Sequence, residues 1–312
     1  MRAVRQHAVG GPLAVEEIPA PVPGAGETLV TIAVGAVNPL DAWIAAGAVA
    51  AAGPLPRTPG CEGVGTTPDG RRVAFRGAGC GLVRDGSWAE LTAVPDAALA
   101  AIPDACSDEQ AAALGIPGVT AADCLDLAEV GEGSTVLVLG ASGGVSTIAL
   151  QLARRRGARV IAQTSSPHRV GLVSRHADEV VVAAADALEA EVREVAPDGV
   201  DAILDPLAGA FSEPCVRLLA PRGTLVLYGA SAGAPFSFAA AEMYRKNARV
   251  IGYSGLPLAA AEMARAMEAL FALVAEGALE AVIADELPLD GADEALERIR
   301  ANRAGGKLLL RP

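Results

Sequence analysis

The sequence predicts an α/β chain of two parts, a β-rich domain and a doubly wound parallel sheet. Three observations predict it. Short alternating segments fill the first third, continuous apolar runs spaced by helix-length stretches begin near residue 135, and a knot of small residues, "LGASGGVS" at 139–146, joins the first of those runs to a helical pattern. At 312 residues, 52% of them hydrophobic, the chain exceeds ordinary single-domain size and can bury a core in each of two domains.

The alternating segments are "MRAVRQ", "LAVEEIP" and "ETLVTIAVGAV", each bounded by Gly or Pro clusters such as "PAPVPGAG". A short helix follows in "NPLDAWIAAG", with Asn38 at its N-cap, Pro39 in its first position and Gly47 past its end. Further turns and strands run through "PGCEGVGTTPDGRRVAF" and "GSWAELTAVP". From about Asp108, "DEQAAALGIPGVTAADCLDLA" has helical spacing and reads as a connector. Then come "TVLVLG", "ARVIAQT", "DEVVVA", "DAILD" and "GTLVLYG", apolar enough for a parallel sheet covered on both faces, with helical crossovers between them. The stretch from "ARVIGYS" through "MARAMEALFALVAEGAL" to "GKLLLRP" reads as a long amphipathic helix and two edge-like strands closing back on the first domain. The expected boundaries are 1–117, 118–248 and 249–312.

Composition excludes more than it assigns. A net charge of −12 argues against a basic nucleic-acid footprint and leaves room for a local basic pocket around an anionic cofactor. The opening "MRAVRQHAVGG" has no apolar signal core, and no run approaches the ~20 apolar residues of a membrane span, so a cytoplasmic protein with no membrane or nucleic-acid partner is expected. Cys61, Cys80, Cys106, Cys124 and Cys215 form no C-x-x-C pair and suit reduced thiols used mostly as core filler.

Strand, small-residue turn and helix in that order make a phosphate cradle. The backbone N–H groups of Gly143, Gly144 and Val145 would face a pyrophosphate at the positive end of the following helix. Ser146 stands where a third glycine serves helix packing; tolerated packing and weakened cofactor binding are both open. A tight turn without ligand is the plain alternative. At the end of the second strand no acid is present to meet the ribose 2′-hydroxyl of NAD. Instead "QTSSPHRV" offers Ser165, Ser166 and Arg169, donors suited to a 2′-phosphate, which favours NADP; an ordinary solvated Arg169 is the alternative.

With these residues the whole chain resembles the zinc-independent medium-chain dehydrogenase/reductases, in the NADPH:quinone oxidoreductase and enoyl reductase branch. "VNPLD", "PGCEGVG", "GSWAELTAVP", "GVTAADCL", "GASGGVS", "RHADEVV", "LDPLAG" and "GKLLL" match that family's segments in order. The resemblance implies a GroES-like catalytic domain made from both chain ends, an inserted Rossmann domain, NADPH in the cleft between them, a small-molecule substrate and a homodimer paired through edge strands of the Rossmann sheet.

It also implies site residues. Asn38, Asp41 and Trp43 form the catalytic group. Asn38 and Thr120 lie near the nicotinamide and ribose; Ser142, Gly143, Gly144 and Val145 lie at the pyrophosphate; Ser165, Ser166 and Arg169 at the 2′-phosphate; Tyr228 and Gly229 near the nicotinamide. Lys307, in the closing Gly-Lys motif, is either cofactor-binding or a solvated strand-end charge. No metal is expected: Gly60-Cys61-Glu62 replaces the zinc branch's Gly-His-Glu, Asn38 stands near its first cysteine, and Glu62 reads as a structural hydrogen-bonding group.

Two departures bear on mechanism. Trp43 stands where many enoyl reductases place a proton-donating tyrosine, and an indole N–H has no useful acidity. It reads as core packing or as an aromatic wall against a flat substrate. Ala45 stands where quinone reductases tend to have arginine. The expected function is NADPH-dependent reduction of a quinone or α,β-unsaturated carbonyl. The alternatives are an NADPH-binding protein of this fold with little redox turnover (sensor, scaffold, or a lyase or cyclase reusing the cleft), and a tailoring enoyl reductase for acyl thioesters.

Overall fold

The computed structural model describes all 312 residues, and they separate into two compact units, Met1–Val119 with Leu256–Pro312, and Thr120–Gly255. In chain order the first unit opens with β1 (Arg2–Gln6), β2 (Leu13–Glu17), β3 (Glu27–Val37), α1 (Pro39–Ala45), β4 (Glu62–Thr66), β5 (Arg72–Arg76), β6 (Leu91–Pro95), β7 (Ala100–Ala101), α2 (Asp108–Ala112) and the start of α3 (Gly115–Leu127). The second unit holds β8 (Thr135–Val138), α4 (Gly144–Arg155), β9 (Arg159–Thr164), α5 (Val170–Val173), β10 (Glu179–Val182), α6 (Leu188–Val195), β11 (Val200–Asp205), α7 (Ser212–Leu218), β12 (Leu219–Leu227), α8 (Ala240–Tyr244) and β13 (Arg249–Gly252). The first unit then closes with α9 (Ala260–Ala275), β14 (Ile283–Pro288), α10 (Ala292–Arg300) and β15 (Lys307–Arg311).

In the first unit a seven-stranded sheet runs β14-β15-β3-β4-β5-β7, with β6 pairing the other stretch of β3, while β1 and β2 form a separate ribbon. At eleven residues, β3 is long enough to carry β6 along its first half and β4 and β15 along its second. Trp88, wholly buried, donates its indole N–H to the Ala36 carbonyl at 3.1 Å and pins this strand end. β15 therefore lies between β14 and β3, an interior strand where "GKLLLRP" predicts an edge-like one.

In the second unit six parallel strands run β10-β9-β8-β11-β12-β13. Their apolar runs pack a core of Leu137, Leu139, Ile161, Leu188, Ile203, Leu218 and Leu225. Strand order reverses at β8, so the crevice beyond the carboxyl ends of β8 and β11 is the place where such sheets bind ligands. β13 is the sixth strand of this sheet, paired with β12 from Thr224↔Arg249 to Leu227↔Gly252. The expected break after residue 248 thus moves beyond Gly252, because the short "RVIG" run finds its partners in the parallel sheet.

Candidate active site

Backbone register builds the first unit's polar cluster. Leu308 pairs Val37 across β15 and β3, which brings Lys307 beside Asn38 just past the end of β3. Gly63 pairs Gly35 across β4 and β3, which brings Glu62 to the same end. The Lys307 ammonium donates to Asn38 Oδ1 at 2.5 Å and to Glu62 Oε1, and Asn38 Nδ2 donates to Glu62 Oε1 at 2.9 Å. Glu62 Oε2 accepts the Ile116 N–H at the start of α3. Position 115 must be glycine here, since a Cβ on it would lie 2.3 Å from Glu62 Oε2. Asp41 completes the group, accepting from the Asn38 N–H at 2.8 Å and from the Cys61 N–H at 3.0 Å.

All of Asn38, Asp41, Glu62 and Lys307 are buried, and Lys307 at 4% exposure is no solvated strand-end charge. Burial pushes the Asp41 carboxyl above its ordinary range against the pull of its hydrogen bonds from Cys61 and Asn38. Burial, reinforced by the Asp41 charge, pushes the Cys61 thiol far up, so it stays protonated and is no nucleophile. Trp43, on α1, is 42% exposed, which removes core packing as its explanation. Ala45 is buried, and its carbonyl accepts the Gln6 amide at 2.7 Å. No group of three or more His, Cys, Asp or Glu side chains is arranged to hold a metal ion.

The second unit's small-residue turn leaves β8 at Leu139 and enters α4 with Gly143 as N-cap; Gly140, at φ +53°, makes the bend. Gln163, near the end of β9, fastens this turn: its Oε1 accepts the Gly140 N–H at 2.9 Å, its carbonyl the Ala141 N–H at 2.8 Å, and its Nε2 donates to Ala183 O at 2.7 Å. Sequence reasoning passed over Gln163, although a lone amide inside the apolar run "RVIAQT" was its signal. Arg169 Nη1 donates to Ser142 Oγ at 2.9 Å, so the guanidinium lies over the turn. Ser166 is half-buried and Ser165 exposed beside it.

Ser146 has a positive role. Its hydroxyl lies 3.0 Å from the Leu139 carbonyl and 3.1 Å from the Tyr228 hydroxyl. A carbonyl only accepts, so the single Ser146 proton goes to Leu139 and Tyr228 donates to Ser146. A glycine at 146 would leave both groups without this partner. Burial raises the Tyr228 phenol well above its ordinary range. Gly229 follows, where a Cβ would meet Pro206 O at 2.6 Å. Thr120, buried at the unit's first residue, makes no side-chain hydrogen bond to this group, and the structure gathers Asn38, Asp41 and Lys307 in one unit and Ser142, Gly143, Gly144, Val145, Ser166, Arg169 and Tyr228 in the other.

The sequence pattern of the zinc-binding dehydrogenase family matches residues 144–276. The chain is 30% identical to the synaptic vesicle membrane protein VAT-1 homolog of Rattus norvegicus, over 94% of this chain and 78% of that one. It is 29% identical to the quinone oxidoreductase of Mus musculus, over 99% and 97%. Among solved structures, the quinone oxidoreductase from Thermus thermophilus, determined also in complex with NADPH, shares 30% identity at a TM-score of 0.84, each chain fully covered. The chain therefore belongs to the medium-chain dehydrogenase/reductase superfamily, in its quinone oxidoreductase and VAT-1 branch. It is a quinone oxidoreductase-like oxidoreductase.

Proposed function

We propose that the protein is an NADPH-dependent reductase that delivers a hydride to a quinone or an α,β-unsaturated carbonyl compound without a metal ion. The observation that carries this is the Arg169 guanidinium set on the Ser142 hydroxyl over the small-residue turn, in a segment with no carboxylate at the end of β9. Fixed donors at that place suit a 2′-phosphate, whereas an acid there would repel one. The turn itself suits a pyrophosphate, though not through the Gly143 N–H, which closes the turn on the Gly140 carbonyl at 2.9 Å; Gly144 and Val145, in the first turn of the twelve-residue α4, have N–H groups without intrahelical partners. The Thermus thermophilus quinone oxidoreductase, solved also with NADPH, points the same way.

NADPH, when bound, supplies the hydride. Ser142, Gly144 and Val145 hold its pyrophosphate, Ser165, Ser166 and Arg169 its 2′-phosphate, and Thr120, Tyr228 and Gly229 its nicotinamide riboside. In the first unit Asn38, Asp41 and Trp43 serve the substrate, with Trp43 as an exposed flat wall. Lys307 acts through Asn38: its ammonium fixes which way the amide faces, and so which of its atoms a ligand meets.

No tyrosine is placed to give a proton. Tyr228 spends its hydrogen on Ser146, Tyr253 donates to Asp123 at 2.7 Å, and Tyr244 is a surface residue. Water as the proton source favours a quinone, whose oxygens are protonated from solvent, over an alkene that needs stereospecific protonation. Zinc does not suit the residues present: the Glu62 carboxylate already carries the Lys307 ammonium, and no group of three or more His, Cys, Asp or Glu side chains is arranged to hold an ion. The protein acts as a cytoplasmic homodimer; no helix is long and apolar enough to cross a membrane. Calorimetry with NADPH and NADH, followed by NADPH oxidation at about 340 nm with a quinone panel, tests the proposal. Tight NADPH binding with turnover is expected; binding without turnover on any quinone or enone would overturn it.

A further inference from the structure

The first unit buries five charged side chains: Asp41, Glu62, Lys307, Arg57 and Arg76. The protein answers the first four. The carboxylates and Lys307 bind one another, Asn38 and backbone N–H groups. Arg57 donates to the carbonyls of Gly53, Ile44 and Leu82 and to Gln6 Oε1 at 3.1–3.4 Å, leaving only its Nε over. Arg76 is different. At 5% exposure it makes no hydrogen bond and no ion pair, and its Nε and Nη1 are sealed from solvent without an acceptor.

Its place is fixed by the last residue of β5, directly across the ladder from Glu62, with its Cβ beside Gly115 at the start of α3. The carboxylate opposite is used up: Glu62 Oε1 takes Lys307 and Asn38, and Oε2 takes Ile116. A buried guanidinium without an acceptor is a cost to the fold and calls for a reason, and a ligand that answers it is one. The third nitrogen, Nη2, has no protein partner either and is not sealed. It belongs to both bidentate edges of the guanidinium, with Nε on one and Nη1 on the other. As the side chain stands, Nη2 is the one nitrogen that an outside oxygen can reach, and a carboxylate there answers the buried charge through a charge-assisted hydrogen bond.

We infer that Arg76 is a specificity residue that receives a carboxylate carried by the substrate, which makes the substrate class a carboxylate-bearing quinone or enone. This rests on the reductase function proposed above. Arg76 stands next to the Glu62–Asn38–Asp41 group that serves the substrate there, and a neutral quinone would leave its charge unanswered.

The test compares wild type with Arg76→Met and Arg76→Lys. In turnover, a 1,4-naphthoquinone bearing a carboxylate is set against its carboxamide; wild type favours the carboxylate by about tenfold or more in kcat/KM, mostly through KM, Arg76→Lys keeps part of that ratio, and Arg76→Met brings it near one. In binding, benzoate raises the melting temperature of wild type, benzamide does not, and Arg76→Met loses the rise. Without ligand, Arg76→Met melts above wild type, because it removes an unanswered buried charge. A lower melting point for Arg76→Met together with a surviving carboxylate preference would make the guanidinium structural and sink the inference. So would a rise with chloride or sulfate equal to that with benzoate, which would mark a general anion site. An Arg76-dependent benzoate effect without NADPH oxidation of either quinone would keep the carboxylate site and discard the reductase function; reduction of the carboxamide without any benzoate effect would do the reverse.

Discussion

At the scale of single residues, the small-residue turn of the second unit is decided by where three protons go. Ser146 gives its proton to Leu139, Tyr228 gives its own to Ser146, and Arg169 gives one to Ser142. A phenol committed in this way is a poor acid for substrate, all the more with its pKa raised by burial. Tyr228→Phe should therefore lower kcat by less than about tenfold, where loss of a general acid costs 10²–10⁴; steady-state kinetics distinguishes the two, and a collapse of kcat would return Tyr228 to the role of proton donor. Arg169→Ala should cost about 1.5–3 kcal/mol of NADPH affinity, the value of one charge-assisted phosphate contact, with NADH affinity hardly changed. Equal losses by calorimetry would remove Arg169 from the 2′-phosphate. The place of Arg169 beside the turn was legible from "QTSSPHRV", since distance from a strand end suffices to suggest it, and its proposed 2′-phosphate role rests on residue type. Ser146 was legible only as an irregularity, because its acceptor and donor lie 7 and 82 residues away.

At the scale of elements, chain order told which strands exist, and register told which side chains meet. The helix after β3 was foreseen with Asn38 at its N-cap and Pro39 first, and α1 begins there. That the Asn38 amide would turn to Lys307, 269 residues on, depends on β15 pairing with β3, a non-local event that local spacing does not encode. The turn after β11 is a second such case. Asp205, wholly buried, accepts with Oδ1 from the Leu207 and Ala208 N–H groups at 2.7 and 3.0 Å, while its Oδ2 has no partner. Burial raises its pKa above the ordinary 3.8 against those two hydrogen bonds. The folded chain then holds the proton more tightly than the unfolded one, so the contribution of this group is full below that ordinary value and is lost as pH rises through the folded pKa. Asp205→Asn keeps an oxygen for both N–H groups and cannot ionise. Urea unfolding from acid to neutral pH should show the variant gaining on wild type as pH rises, then a constant difference. Parallel curves would mean that Asp205 titrates alike folded and unfolded.

At the scale of the whole molecule, the order of apolar runs foretold a β-rich part and a doubly wound sheet, because continuous and alternating hydrophobicity report directly on how many faces of a strand are covered. Placement at the sheet margins was less legible. "GKLLL" and "RVIG" carry the same apolar signal, yet β15 is enclosed between β14 and β3 while β13 ends the parallel sheet. That margin bears on assembly. β13 is short and presents, on the side away from β12, backbone groups with no strand to pair them; Val250 packs against the sheet's core and Ile251 is only half-buried. Natural proteins protect such an edge with charge, proline or a partner, and within "RVIG" only Arg249 is charged, already paired with Glu129 at 2.8 Å. Pairing of two copies through this edge would extend the sheet and cover those groups by a two-fold operation. Light scattering should give twice the 31.3 kDa chain mass at micromolar concentration, and Ile251→Lys should shift it toward a single chain. A wild-type mass of one chain would reject the dimer; a two-chain mass unmoved by Ile251→Lys would place its interface elsewhere.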